Sequence, residues 1–155
     1  KAPTAILQLS EMLDYAMHTA KHEMVPMEAE LKQVENYIGL ELLRYEDRVR
    51  VDTTVTGKLE DAKIGPMILI TLIENAFKHG VMKVAGKSWI KLTVDSNTER
   101  TMISIRNSWK NGASGNGIGL HNLRGQLDLL YGKNYELLIG VDKPGEFSVN
   151  LSINK

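Results

Sequence analysis

Near Asp47 the hydrophobic period of this chain changes from about 3.6 residues to 2, so helices must give way to sheet there. Over residues 4–21, Ile6, Leu9, Leu13, Ala16, Met17 and Ala20 recur at helical spacing. A second helix is expected over residues 27–46, opened by Pro26, with Glu28 and Glu30 in the first turn, where carboxylates complement the helix dipole. Its stripe is Leu31, Val34, Ile38 and Leu42. The short turn between the two predicts an antiparallel hairpin. Its stripes ask for more apolar cover than a lone hairpin provides, which predicts a homodimer in the intact protein.

Beyond the change of period, Val49, Val51, Thr53 and Val55 alternate up to Gly57 and predict a strand. Gly65-Pro66 opens a helix over residues 67–80, with Pro66 suited to a first helical position and Gly80 to a C-terminal cap. Ile90, Leu92 and Val94 mark one strand, Ile103 and Ile105 another, and the glycine-rich residues 110–119 a loop. Leu120, Leu123, Leu127 and Leu130 mark a helix that Gly125 weakens by about 1 kcal/mol relative to Ala. Two alternating strands, from Tyr135 to Val141 and from Phe147 to Ile153, flank Lys143-Pro144-Gly145-Glu146, whose Pro and Gly fit a type II turn. Strands and helices segregate, so the expected fold is α+β: a two-layer sandwich with a mixed sheet covered on one face by helices, after an N-terminal helical hairpin. The natural division is residues 1–46 and residues 47–155.

At 155 residues the chain has room for one core. Nineteen basic and nineteen acidic residues cancel, so nothing global favours nucleic acid or an anionic membrane as partner. The absence of cysteine excludes disulfides and thiolate metal sites, and no apolar run approaches the roughly 20 residues needed to cross a bilayer. The opening KAPTAILQLS, without an initiator Met, reads as cut from something longer, so any membrane anchor is expected in segments outside this chain and the cytoplasm is the default location.

Residues 67–80, MILITLIENAFKHG, gather Glu74, Asn75, Lys78 and His79 at one end of an otherwise apolar helix. At 100° per residue, Asn75 and Lys78 share a face with Glu74 beside it. Either Glu74 and Lys78 form an ordinary i,i+4 ion pair, or the cluster looks into a site. Residues 112–127, GASGNGIGLHNLRGQL, carry Gly115, Gly117 and Gly119 ahead of a helix N-terminus, where free N–H groups favour a phosphate. A flexible surface loop is the alternative. The pattern is no Walker or dinucleotide fingerprint.

Together these segments resemble the ATP-binding domain shared by histidine kinases, DNA gyrase B, MutL and the large heat-shock chaperones. Within it, PMILITLIENAFKHG followed by GNGIGLHNLRGQLDLLYG, with LSEMLDYAMH and ELKQVENYIGLELLRYEDRV upstream, resembles LytS-type sensor histidine kinases. The resemblance implies ATP and Mg2+ as ligands, with Asn75 as the magnesium ligand. It sets Glu74 to deprotonate or orient an attacking imidazole, Lys78 near the phosphates, and His79 at the pocket rim. Gly115, Gly117 and Gly119 would wrap the phosphates, with Leu120 and Asn122 continuing that box. The implied reaction moves the ATP γ-phosphate to a histidine upstream of LSEMLDYAMH and then to an aspartate of a response regulator.

Two departures bear on this. The family's adenine-binding Asp is matched here by Asn107 in IRNSWKNG, whose amide oxygen can still accept from the adenine amine. Only residues 108–114 separate it from the glycine box, a short lid. A degenerate nucleotide site serving as a scaffold is the rival reading. His18 and His22, four apart, lack an evident third metal ligand, and His121 falls at a variable position. Trp109 is either core or cover for a nucleotide.

Overall fold

The computed structural model describes residues 2–19, 24–110 and 118–155. Helix α1 (Ala2–Thr19) runs antiparallel to α2 (Met27–Tyr45), as the bonds Tyr15 to Glu30 and Asn36 to Glu11 require. The stripe read from α1 turns away from α2: Ile6, Leu9, Leu13 and Met17 are exposed. The helices meet instead through the partly polar row of Gln8, Glu11, Tyr15 and Thr19 on α1.

The sheet contains β2 (Val49–Gly57), β4 (Ser88–Ser96), β5 (Arg100–Ser108), β6 (Tyr135–Lys143) and β7 (Glu146–Asn154), in the order β2-β4-β5-β7-β6. Among the described residues only β2 and β4 pair in parallel, and α3 (Ile68–Asn75) lies in the connection between them. The alternation read from sequence holds. Ile90, Leu92, Val94, Ile103, Ile105, Val149 and Leu151 point to one face and are buried beneath α2, α3 and α4 (Ile118–Tyr131). Lys91, Met102, Glu136 and Leu138 lie on the opposite, open face. The fold is therefore α+β, a mixed sheet covered on one side. A two-residue ribbon, β1 (Val25–Pro26) against β3 (Lys63–Ile64), has too few residues to show a period and was not foreseen.

Three local expectations are corrected. Pro66 does not open α3: the helix starts at Ile68, after Met67 in the left-handed region at φ 67°. Gly119 is not in a loop, because α4 already begins at Ile118. Gly80 is not a left-handed cap, since its φ is −100° and the chain continues from it into a 3-10 turn. The type II turn is present, with Gly145 at φ 81°.

Candidate functional site

Helix α3 is apolar over most of its surface and accordingly buried, with Ile68, Leu69, Ile70, Leu72 and Ile73 in the core and Thr71 and Glu74 on a half-exposed side. It does not end at Asn75. A π-turn, Ala76–Gly80, and a 3-10 turn, Val81–Lys83, carry the helical path onward. The wide π-turn rung aims consecutive residues inward, an irregularity often found at functional sites. Asn75, Ala76 and Phe77 are 7%, 1% and 0% exposed. Phe77 meets Tyr37 edge-on at 5.7 Å and stacks on Tyr45 at 6.1 Å, which anchors the turn to α2. On the outer side Lys78 Nζ lies 2.6 Å from Glu74 Oε1. The i,i+4 ion pair is thus formed, on side chains open enough to solvent to exchange partners.

Two polar groups of this turn are left over. The Asn75 amide, on a residue 7% exposed, makes no side-chain hydrogen bond among the described residues and keeps its remaining contact with solvent. His79 Nδ1 is buried without a partner. Leftover buried polar groups are uncommon and call for an explanation.

The last residues of β5 face this turn. Asn107, 1% exposed, sits between Ile90 of β4 and Phe147 of β7 on the helix side of the sheet. Its Nδ2 donates to the Ser108 carbonyl at 2.8 Å, which commits the amide nitrogen and leaves Oδ1 as the acceptor. A Cβ at position 80 would lie 2.0 Å from that nitrogen and 3.1 Å from the Ser108 carbonyl oxygen. Gly80 is required by this approach. Trp109 is core: it is buried, stacks on Phe147 at 4.7 Å, and donates its N–H to Gly145 O at 2.8 Å.

The structure therefore sets the turn after α3 against the end of β5 through Gly80 and Asn107, with Asn75 and His79 on the same helical path and Glu74 and Lys78 paired on its outer side. Leu120 is buried among the core residues, while Gly119 and Asn122 are exposed at the start of α4. Gly115 and Gly117 lie outside the described residues, as does His22. His18 is exposed on α1, with Nδ1 2.8 Å from Asp14 O. A magnesium ion fits this donor set through one amide oxygen, because Mg2+ keeps several waters and takes substrate phosphates for the rest of its shell. Among the described residues no group of three His, Asp or Glu gathers to hold a metal alone.

Glu30, read from sequence only as a first-turn acid, is 0% exposed and bonded to Tyr15 and to the start of α3. The signal was its spacing: three residues after Met27 and four before Val34, it falls on the apolar side of α2.

Residues 1–49 match the family model for histidine kinases. The chain is 29% identical over 160 residues to the sensor protein LytS of Staphylococcus saprophyticus, covering 94% of this chain and 27% of that protein. It is 39% identical over 79 residues to a sensor-like histidine kinase of Staphylococcus epidermidis, covering 51% of this chain and 15% of that one. The catalytic domain of the histidine kinase ThkA superposes with a TM-score of 0.62 at 16% identity, over 85% of this chain and 96% of that one. A second ThkA structure, in complex with the response regulator TrrA, gives 0.59 at 13% identity over 97% and 48%. The chain spans about a quarter or less of the curated relatives it matches. It is a homologue of LytS-type sensor histidine kinases of two-component systems, and its fold is that of a histidine kinase catalytic domain.

Proposed function

We propose that this chain is the catalytic part of a two-component sensor kinase, which binds Mg-ATP at the end of α3 and delivers the γ-phosphate to a histidine N-terminal to α1. The observation that carries the reading is the close approach of Gly80 to Asn107, at the end of the helical path that also carries Asn75. It supports a site that offers one acceptor to an adenine amine and a second oxygen to a phosphate-bound cation.

Phosphoryl transfer asks mostly for positioning and charge stabilisation. In this reading Asn107 Oδ1 accepts from the adenine amine, Asn75 Oδ1 holds magnesium, and His79 shapes the rim. Lys78 leaves Glu74 to sit against the phosphates, where its charge offsets what develops in transfer. Gly115, Gly117 and Gly119 present backbone N–H groups to the phosphates, with Leu120 and Asn122 fixing the start of α4. The acceptor imidazole forms a new N–P bond as the bond from the γ-phosphorus to the β-phosphate oxygen breaks, and ADP leaves. Glu74, once unpaired, orients that imidazole or takes its proton. Bound magnesium supplies neutralisation of phosphate charge.

The reading extends to partners. A response regulator accepts the phosphoryl group on an aspartate, as the pairing of the structural neighbour ThkA with TrrA supports. Residues 1–46 act as the end of a dimerisation region and residues 47–155 as the ATP-binding unit. The exposed Ile6, Leu9, Leu13 and Met17 face of α1 is offered to a second copy in the intact protein. The catalytic part acts in the cytoplasm, where ATP is; no helix among the described residues is long and apolar enough to cross a membrane.

The test is labelling with γ-labelled ATP and magnesium. A protein extended through the preceding helix should acquire acid-labile, base-stable label on histidine, and the 155-residue chain alone should not. Label appearing on the chain alone, or none on the extended protein, would overturn the reading.

A further inference from the structure

Glu30 is a carboxylate with no exposed surface on a helix face otherwise given to Met27, Val34 and Ile38. A buried charge is costly unless paired and hydrogen-bonded, so its partners indicate its role. On one side the Tyr15 hydroxyl of α1 donates to Oε2 at 2.6 Å. On the other, Oε1 accepts the Leu69 N–H at 3.4 Å, and the neighbouring Met67 and Ile68 amides also favour the charged carboxylate. These are orphan donors of the first turn of α3, and the residue preceding that helix, Met67, makes no side-chain cap. Helix α3 thus begins on a side chain of α2 that α1 holds in turn.

The joint is fixed from its other side by α4. Tyr131 accepts the Gly65 N–H at 3.0 Å, and Gln126 donates to the Pro66 carbonyl at 2.9 Å. Between these clamps Met67 takes its positive φ. An eight-residue helix at about 1.5 Å per residue is a short stiff rod, so a shift at its start arrives at Asn75, its last residue. Burial, then the bond to Glu30, pushes the Tyr15 hydroxyl above its usual range, so it remains a donor.

We propose that Glu30 is a positioning residue for the nucleotide site: it seats the N-terminus of α3, and Tyr15 makes that seat depend on where α1 lies. The inference rests on the reading of α3 as the helix that carries the magnesium and phosphate contacts. It gives the kinase a route from the helical pair to Asn75 that runs within the helical layer, from α2 into α3, and needs no contact between α1 and the nucleotide. Whatever covers the exposed apolar face of α1 can act through Tyr15.

The test compares the chain with its Tyr15→Phe, Glu30→Ala and Glu30→Gln variants by amide hydrogen exchange and by Mg-ATP calorimetry. Tyr135→Phe is the control, since it removes a hydroxyl bond of the same chemistry, to Asp128 at 2.5 Å, far from α3 in sequence. Tyr15→Phe and Glu30→Ala should speed exchange of the Leu69 to Leu72 amides and weaken Mg-ATP binding about fivefold or more, while exchange in β5 and β7 stays unchanged. Glu30→Gln, whose amide can still accept from α3 and donate to the Tyr15 oxygen, should restore most of both, and the control should change neither. Unaltered α3 exchange in Tyr15→Phe, or exchange that rises equally throughout the molecule, overturns the proposal. If the parent chain binds no Mg-ATP but α3 exchange responds as stated, the seat stands and the nucleotide reading fails.

Discussion

Gly80 and Asn107 are a matched pair, because the glycine leaves the volume that the asparagine amide fills. With a Cβ placed 2.0 Å from Asn107 Nδ2 and no exposed route for that side chain, Gly80→Ala should cost about 1–3 kcal/mol of stability. Urea unfolding measures this, and Gly80→Ala combined with Asn107→Ala should recover part of the loss while leaving nucleotide binding impaired. An unchanged midpoint for the single variant would show that the approach is looser than described. Asn107→Asp separates stability from affinity. The carboxylate keeps an acceptor for an adenine amine and strengthens it with charge, but loses the donor to the Ser108 carbonyl. Stability should fall by about 1–3 kcal/mol in urea unfolding while Mg-ATP affinity is preserved or strengthened. Weaker affinity would remove Asn107 from the adenine contact.

At the scale of the element, α3 has no cap of its own, and the carboxylate that serves it comes from α2. Burial, the largest influence, pushes the Glu30 carboxyl above its ordinary 4.5 and outweighs the hydrogen bonds that lower it. The folded state then holds more protons than the unfolded state from 4.5 upward, so this group's contribution to stability is full below 4.5 and is lost as pH rises through the raised folded value. Glu30→Gln should therefore flatten the fall of stability with pH in that window, seen as a Tm difference between variant and parent that grows with pH. A pH-independent difference would contradict the burial-driven shift. The nearby phenols Tyr15 and Tyr131 are themselves raised by burial and do not titrate there. None of this junction was legible from helix start signals. Pro66 and Gly80 occupy positions where sequence rules place a first residue and a cap, yet tertiary contacts overrode both: Gln126 and Tyr131 hold residues 65–66 off the helix, and Asn107 claims the space at Gly80. The π-turn leaves no mark on hydrophobic period, because five residues are too few to show one.

Across the whole molecule the period of the apolar residues was sufficient for the layers. Strands β4, β5, β6 and β7 alternate because one face is buried and the other is open, and the register carries that alternation across the sheet. The direction of the α1 stripe was not legible, since a helix that buries a polar row against α2 and exposes its leucines gives the same period as the reverse. That arrangement makes a prediction about assembly. Leu13→Glu, on an exposed side chain, should leave the Tm of this chain nearly unchanged and weaken self-association of the intact protein in sedimentation. Unaltered association would place the dimer contact elsewhere.

The central claim is that the end of α3 and the end of β5 form one Mg-ATP site, and calorimetry on the 155-residue chain beside Asn75→Ala tests it most directly. Saturable, magnesium-dependent ATP binding that Asn75→Ala abolishes, with the variant's fold intact by circular dichroism, is the predicted result. No heat of binding up to millimolar ATP, with no rescue by Asn107→Asp, would contradict it and leave a nucleotide-free scaffold in which Glu74 and Lys78 are only an ion pair.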